Sequence, residues 1–188
     1  MLQFQGGSRA AFEELFARYR KPLYGFFGRR LNSSERAEDL TQETFLAVIR
    51  SLSRYEPRAS VRTYLYGIAL KLLAAERRRA FRHSAWSSAS GLGTTEPNTD
   101  STPDSVLWVR QAMERLDTSD REILMLREYE QLSYSDIAEL LRIPINTVRS
   151  RLFRSRLTLK SYLDSEQKTN PSQRASTAQP HPGTRGLQ

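Results

Sequence analysis

Leu132-Ser133-Tyr134-Ser135-Asp136-Ile137-Ala138-Glu139-Leu140-Leu141-Arg142-Ile143-Pro144-Ile145-Asn146-Thr147-Val148-Arg149-Ser150-Arg151-Leu152-Phe153-Arg154-Ser155-Arg156 reads as a short helix, a tight turn and an arginine-loaded second helix. Ser133 is placed to cap the first helix, with Asp136 three residues on where a capping-box acid belongs. Ile137, Ala138, Leu140 and Leu141 give that helix an apolar face. Pro144 suits the first turn of the next helix, where its missing N–H would have no partner anyway. Val148, Leu152, Ser155 and Leu159 then recur at spacings of four, three and four, which puts them on one buried stripe. Asn146, Thr147, Arg149, Ser150, Arg151 and Arg154 are left pointing outward or to the flanks. A helix so built, braced by a shorter one, is the helix-turn-helix way into the DNA major groove.

The charge map agrees. Six basic residues and no acid lie between Arg142 and Lys160, yet residues 104–164 carry ten basic and ten acidic side chains. The charge is thus polarised toward one helix, as a phosphate-facing surface requires. A solvated arginine-rich face is the plainer reading of the charge alone; the capped helix and proline turn argue against it.

Outward from this segment, composition divides the chain of 188 residues. Residues 84–103 are rich in Ser, Thr, Gly and Pro and read as a flexible linker; residues 165–188 read as a disordered tail. Two folded pieces remain, 1–83 and 104–164. The first carries sixteen basic and eight acidic side chains and so holds the whole net charge of +8. That balance favours a polyanionic partner, nucleic acid before a membrane surface. With no cysteine there is no disulfide framework and no thiolate metal site, which suits a reducing cytoplasm. Met1 to Gly7 lacks the basic start and apolar run of a leader peptide. The most apolar stretch, Tyr64 to Ala75, is broken by Lys71, so no membrane insertion is expected.

Both pieces read as helical. Ser8 is a cap for a helix carrying Phe12, Leu15, Phe16 and Tyr19, interrupted at Pro22 and resuming through Leu23, Phe26 and Phe27. Asn32, Ser33 or Ser34 opens a second helix whose inner stripe is Ala37, Leu40, Thr44, Val48 and Leu52. Ser60 opens a third, with Leu65, Ile68, Ala69 and Leu72 inward, running out in Arg77-Arg78-Arg79. No period-two pattern is present, so the expected fold class is all-α: two small helical domains joined by a flexible linker.

In the second helix Asp39, Gln42 and Glu43 fall at i, i+3 and i+4 and form one polar patch opposite the Leu40–Val48 stripe. Acids early in a helix also favour its dipole, so alone the patch is no more than a solvated face. With its surroundings it resembles extracytoplasmic-function (ECF) RNA polymerase sigma factors. Their Ala-Glu-Asp-Leu-x-Gln-Glu-x-Phe-Leu motif is matched by residues 37–46. Their Trp-Leu-x-x-Ile-Ala-x-Asn segment has its counterpart in Tyr64-Leu65-Tyr66-Gly67-Ile68-Ala69-Leu70-Lys71, and their terminal helix-turn-helix in Asp136-Ile137-Ala138 and Thr147-Val148-Arg149-Ser150-Arg151-Leu152. The resemblance spans about residues 8–163.

It implies a factor whose residues 1–83 bind core polymerase and the −10 element, and whose residues 104–164 bind the −35 element. Asp39, Gln42 and Glu43 would dock on the clamp helices of the largest polymerase subunit. Arg62, Tyr64, Tyr66, Lys71, Arg77, Arg78 and Arg79 would hold the melted −10 strand, aromatic rings stacking on unpaired bases. For Tyr64, beside Leu65 and Ile68, core packing is an equal reading. Asn146, Thr147, Ser150 and Arg154 would face −35 base edges, with Arg149 and Arg151 on phosphates. Tyr64, Lys71 and Ala75 stand where the family has Trp, Asn and Asp, and Arg142 and Asn146 where glycines are common, so the family's base preferences do not carry over there. Arg142 is expected in a left-handed conformation. The partners implied are core RNA polymerase, promoter DNA and an anti-sigma factor, with no cofactor or metal.

The rival reading is a stand-alone helix-turn-helix regulator with residues 1–83 as sensor or dimerisation domain. Catalysis is a poor third, since His83 and His181 have no partner at catalytic or metal-ligand spacing. Gly91-Leu92-Gly93 lies in the linker without strand or helix around it and is no phosphate loop.

Overall fold

The computed structural model describes residues 1–90, 109 and 111–169, with side chains described as far as Arg82 in the first stretch and Asp164 in the last. Every regular element among them is helical. Helix α1, Leu2–Gln5, lies across the start of the fold, with the Gln5 amide donating to the carbonyls of Leu52 (3.0 Å) and Tyr55 (3.2 Å). Helix α2, Arg9–Gly28, is capped by Ser8, whose hydroxyl accepts from the Ala11 N–H.

The expected interruption at Pro22 does not occur; α2 runs through it. A proline inside a helix costs about 3 kcal/mol. Leu23, Phe26 and Phe27, just beyond it, are fully buried, and each such side chain returns about 1.5–3 kcal/mol. Tertiary burial therefore outweighs the local penalty.

Helix α3, Ser34–Ser51, is capped by Ser33, and Ala37, Leu40, Thr44 and Val48 are buried as their spacing demands. Thr41 and Thr44, also buried, donate to the carbonyls of Ala37 and Leu40, both at 2.7 Å, so neither hydroxyl is left unpaired. Leu52, the last member of the expected stripe, begins a 3-10 turn, Leu52–Arg54, and is only half-buried. Helix α4, Val61–Ser90, starts with the Ser60 hydroxyl accepting from the Thr63 N–H. It buries Leu65, Ala69 and Leu73, with Ile68 and Leu72 half-buried. It does not run out at the arginines: residues 84–90, read as linker, continue the helix. The rest of that linker, including residues 91–103, lies outside the described residues.

After a helical turn at 111–114, helix α5, Thr118–Glu128, is capped by Asp117, which accepts from the Ser119 N–H at 2.8 Å. Helix α6, Tyr134–Leu141, opens with the full capping box: the Ser133 hydroxyl accepts from Asp136 N–H while the Asp136 carboxylate accepts from Ser133 N–H. It closes on Arg142 at φ 53 and ψ 45, the expected left-handed residue. The N–H of Ile143 then reaches the Ala138 carbonyl, satisfying the helix end. Helix α7, Ile145–Thr169, follows at once, with the Pro144 carbonyl accepting from Thr147 and Val148. It reaches five residues into the stretch read as tail; residues 170–188 lie outside the described set.

One core runs through both halves. Leu23, Phe26, Phe27 and Leu73 of the first cluster with Leu116, Ile123, Leu126 and Ile137 of the second. Around that seam Arg30 pairs with Glu122 (3.0 Å) and Glu130 (3.2 Å), and Arg29 with Glu130 (2.9 Å).

Candidate nucleic-acid interface

Helix α7 is oriented by what it buries. Val148, Leu152 and Ser155 are inaccessible, and the Ser155 hydroxyl donates to the Arg151 carbonyl at 2.7 Å, so the one polar member of the stripe is satisfied. Leu159 is half-buried. That phase leaves Asn146, Arg149, Ser150 and Arg154 exposed and Thr147 and Arg151 half-buried. Arg149 donates to the Asn146 side-chain oxygen at 3.2 Å, which orders the two side chains nearest the start of the helix. Arg151 instead braces α7 against α5, donating to Ser119 at 2.8 Å and lying 3.8 Å from Asp120. The outward face also carries Phe153 and Leu157, 67% and 58% exposed. Both follow from the helical phase of Val148 and were missed in favour of the polar residues around them.

The residues of α4 expected at the −10 element fall on two sides of the helix. Tyr64 and Lys71, seven residues apart, line a groove of about 460 Å³ with Tyr55, Ile68, Leu140 and Arg142. Tyr64 is half-buried, its hydroxyl 2.7 Å from that of Ser51 and its ring edge-on to Tyr55 at 5.0 Å. Tyr66 points the other way and is only 2% exposed. Burial, and then the Glu130 carboxylate beside it, hold its phenol well above the usual tyrosine range. Arg77, on the same side, lies 3.8 Å from Glu122. Arg62, Lys71, Arg77, Arg78 and Arg79 are all exposed. Tyr66, then, faces the second half of the chain and not solvent.

On α3, Asp39 and Gln42 are exposed and Glu43 half-buried, on one face. Their organiser is Arg36, which no sequence pattern singled out. Its guanidinium donates to Asp39 and Glu43, both at 3.3 Å, and to Glu76 of α4 at 2.8 Å. The Glu76 hydrogen bond raises the Arg36 pKa further above its ordinary value, and the same bond lowers that of Glu76. Leu46 and Ile49 stand exposed on the same face, one and two turns on. The patch is thus an acidic ridge flanked by apolar groups. Among the described residues no group of three His, Cys, Asp or Glu side chains is placed to hold a metal ion, and no helix is long and apolar enough to cross a membrane.

Residues 15–83 match the family model for sigma-70 region 2, and residues 107–159 that for sigma-70 region 4. The RNA polymerase sigma factor YlaC of Bacillus subtilis is 31% identical over 159 residues, covering 81% of this chain and 91% of the relative. The chain belongs to the ECF family of RNA polymerase sigma factors. CarQ of Myxococcus xanthus is 34% identical over 169 residues, 87% of this sigma factor and 95% of CarQ. The ECF sigma-E factor of Haemophilus influenzae is 30% identical over 165 residues, 81% and 87% of the two chains.

Two solved structures share the fold at lower identity. Sigma factor RpoE of Bartonella quintana, in complex with the anti-sigma factor NepR, has a TM-score of 0.68 at 20% identity, covering 82% of this chain and 97% of RpoE. CnrH in complex with the cytosolic domain of CnrY has a TM-score of 0.66 at 24% identity, covering 87% and 94%. As a sigma factor this protein directs promoter-specific transcription initiation by RNA polymerase, and the stand-alone regulator gives way to that reading. The region 2 match holds most of α2, all of α3 and most of α4; the region 4 match holds α5, α6 and the outward face of α7.

Proposed function

We propose that this sigma factor docks on the clamp helices of the largest polymerase subunit through Asp39, Gln42 and Glu43, with Leu46 and Ile49 completing the contact. Residues Arg62, Tyr64, Lys71, Arg77, Arg78 and Arg79 hold the unpaired −10 strand, Tyr66 being a packing residue instead, and α7 reads the −35 element from the major groove. Asn146, Ser150 and Arg154 contact base edges, with Thr147 at their flank. Arg149 and Arg151 contact phosphate, and Phe153 lies against a thymine methyl, the apolar feature of the groove. The observation that carries this reading is the exposed polar and arginine face of α7, fixed opposite the buried Val148–Leu152–Ser155 stripe. The protein acts in the cytoplasm, is restrained by an anti-sigma factor and supplies no catalytic group of its own.

Run-off transcription by core polymerase on a promoter library, with and without this chain, tests the proposal. Arg154→Ala and Ser150→Ala are expected to change which −35 sequences are transcribed, each lost base contact costing about 1–3 kcal/mol. Arg149→Ala is expected to weaken all promoters alike and to reduce the salt slope of binding. Uniform effects of all three variants across the library would reject the division into base and phosphate contacts.

A further inference from the structure

Helix α1 has four residues, too few to persist on its own, yet the fold holds it in one place. Met1 and Phe4 pack on the cluster of Leu15, Val48 and Leu65, with the Phe4 and Phe12 rings 4.9 Å apart. Gly7, at φ 92, then turns the chain into the Ser8 cap of α2, a conformation that glycine adopts without steric cost. Helix α1 is thereby anchored on α2, α3 and α4, and Gln5 is carried to the connection between α3 and α4.

That connection is irregular from Tyr55 to Ser60. Inside it the Tyr55 N–H donates to the Leu52 carbonyl at 3.1 Å and the Arg58 N–H to that of Glu56 at 2.8 Å. Neither bond engages the Tyr55 carbonyl. Gln5 does so from outside, sending one amide hydrogen to Leu52, which opens the 3-10 turn, and the other to Tyr55, which follows it. Tyr55 is 7% exposed and stands edge-on to Tyr64, and the two side chains line one groove with Ile68 and Lys71. Contact therefore runs from Gln5 through the turn and the Tyr55 ring to the ring of Tyr64, while Gln5 itself stays outside the groove lining.

We propose that Gln5 is a positioning residue for the −10 contact: by holding the Leu52 and Tyr55 carbonyls it sets the Tyr55–Tyr64 wall of the groove, and so governs which unpaired bases the groove accepts. This role rests on the assignment above of the −10 strand to Tyr64 and Lys71. It is separable from a role in folding. Gln5 is exposed, so water takes over the two carbonyls when its donors are lost, and neither is left unsatisfied. Water satisfies a carbonyl without fixing where it points. Stability then changes little, whereas the placement of Tyr55 is freed.

The test uses the full chain with core polymerase. Gln5→Glu keeps the shape, removes both donors and sets carboxylate oxygens against the carbonyl oxygens. Gln5→Lys restores donors to the same place. Gln3→Glu adds the same charge to α1 at another exposed position, and Lys71→Ala probes the groove directly. Each protein is followed by amide hydrogen exchange over residues 52–60, by thermal melting, and by transcription from two promoter libraries, one randomised at −10 and one at −35.

Gln5→Glu is expected to speed exchange over residues 52–60 about tenfold, the scale of two ordinary hydrogen bonds. It is expected to shift the preferred −10 sequences while the −35 preferences and the melting temperature stay as in the wild type. Gln5→Lys should exchange and select as the wild type does, and Gln3→Glu should select as the wild type does. Unaltered exchange in Gln5→Glu would overturn the inference. So would a lowered melting temperature with unchanged −10 preference, or an equal −10 shift in Gln5→Lys. If Gln5→Glu both melts lower and selects differently, Gln5→Ala, which leaves the carbonyls to water, decides by the same readouts. A −10 shift in Lys71→Ala alone would remove Gln5 and leave the groove its role; no shift in Lys71→Ala would remove the groove assignment itself.

Discussion

Replacing Asp39 and Glu43 together by arginine is expected to abolish association with core RNA polymerase. Like charges brought together at an interface cost several kcal/mol, which at about 1.4 kcal/mol per decade removes two or more orders of magnitude in affinity. The fold should survive. The Asp39 and Glu43 side chains are 51% and 43% exposed, and ion pairs at that exposure contribute under ~1 kcal/mol each. Arg36 keeps its shortest contact, to Glu76 at 2.8 Å, so α3 stays pinned to α4. Pull-down on core polymerase beside a thermal melt separates the two effects. A double variant that still joins the polymerase would remove the acidic ridge from the interface; one that fails only because it has unfolded would show it in the melt.

Leu152→Ala should abolish promoter recognition without touching a DNA-facing group. Leu152 is fully buried beneath α7, and truncating such a leucine costs about 2–5 kcal/mol, cavity included. Leu152 belongs to the core that both halves share, so the cavity loosens the seat of α7 and weakens the whole cluster. The expected result is a large fall in melting temperature together with loss of −35 duplex binding. Binding lost at an unchanged melting temperature would mean that Leu152 acts through contact with DNA.

These two sites also mark how far the sequence could be read. The Ser133–Asp136 capping box, the left-handed Arg142 and the Val148–Leu152–Ser155 stripe all depend on neighbours within one or two turns, and the structure bears them out. What resisted reading depends on residues far apart in the chain. Pro22 reads as an interruption because its penalty is local, whereas the burial of Leu23, Phe26 and Phe27 that overrides it is tertiary. Arg36 looked like one more arginine, since its partner Glu76 lies forty residues away. Tyr66 reads as a base-stacking ring because the Glu130 beside it belongs to the other half. The continuation of α4 past its arginines was hidden by Ser- and Ala-rich composition, which a helix tolerates as readily as a linker does.

Asp136 links the helix-turn-helix to acidity. Burial alone would raise its carboxyl, but hydrogen bonds from Ser133 and Thr63, with the Arg62 charge nearby, outweigh that and hold it below the ordinary aspartate range. A group depressed in the fold contributes stability that is fully present above its unfolded pKa, about 3.9, and is lost as pH falls through the lower folded value. Protonation removes the carboxylate charge that strengthens both the α6 cap, which uses Oδ2, and the Thr63 contact, which uses Oδ1. Acid therefore loosens the start of α6 and the seam between the halves together, so the two should titrate as one transition.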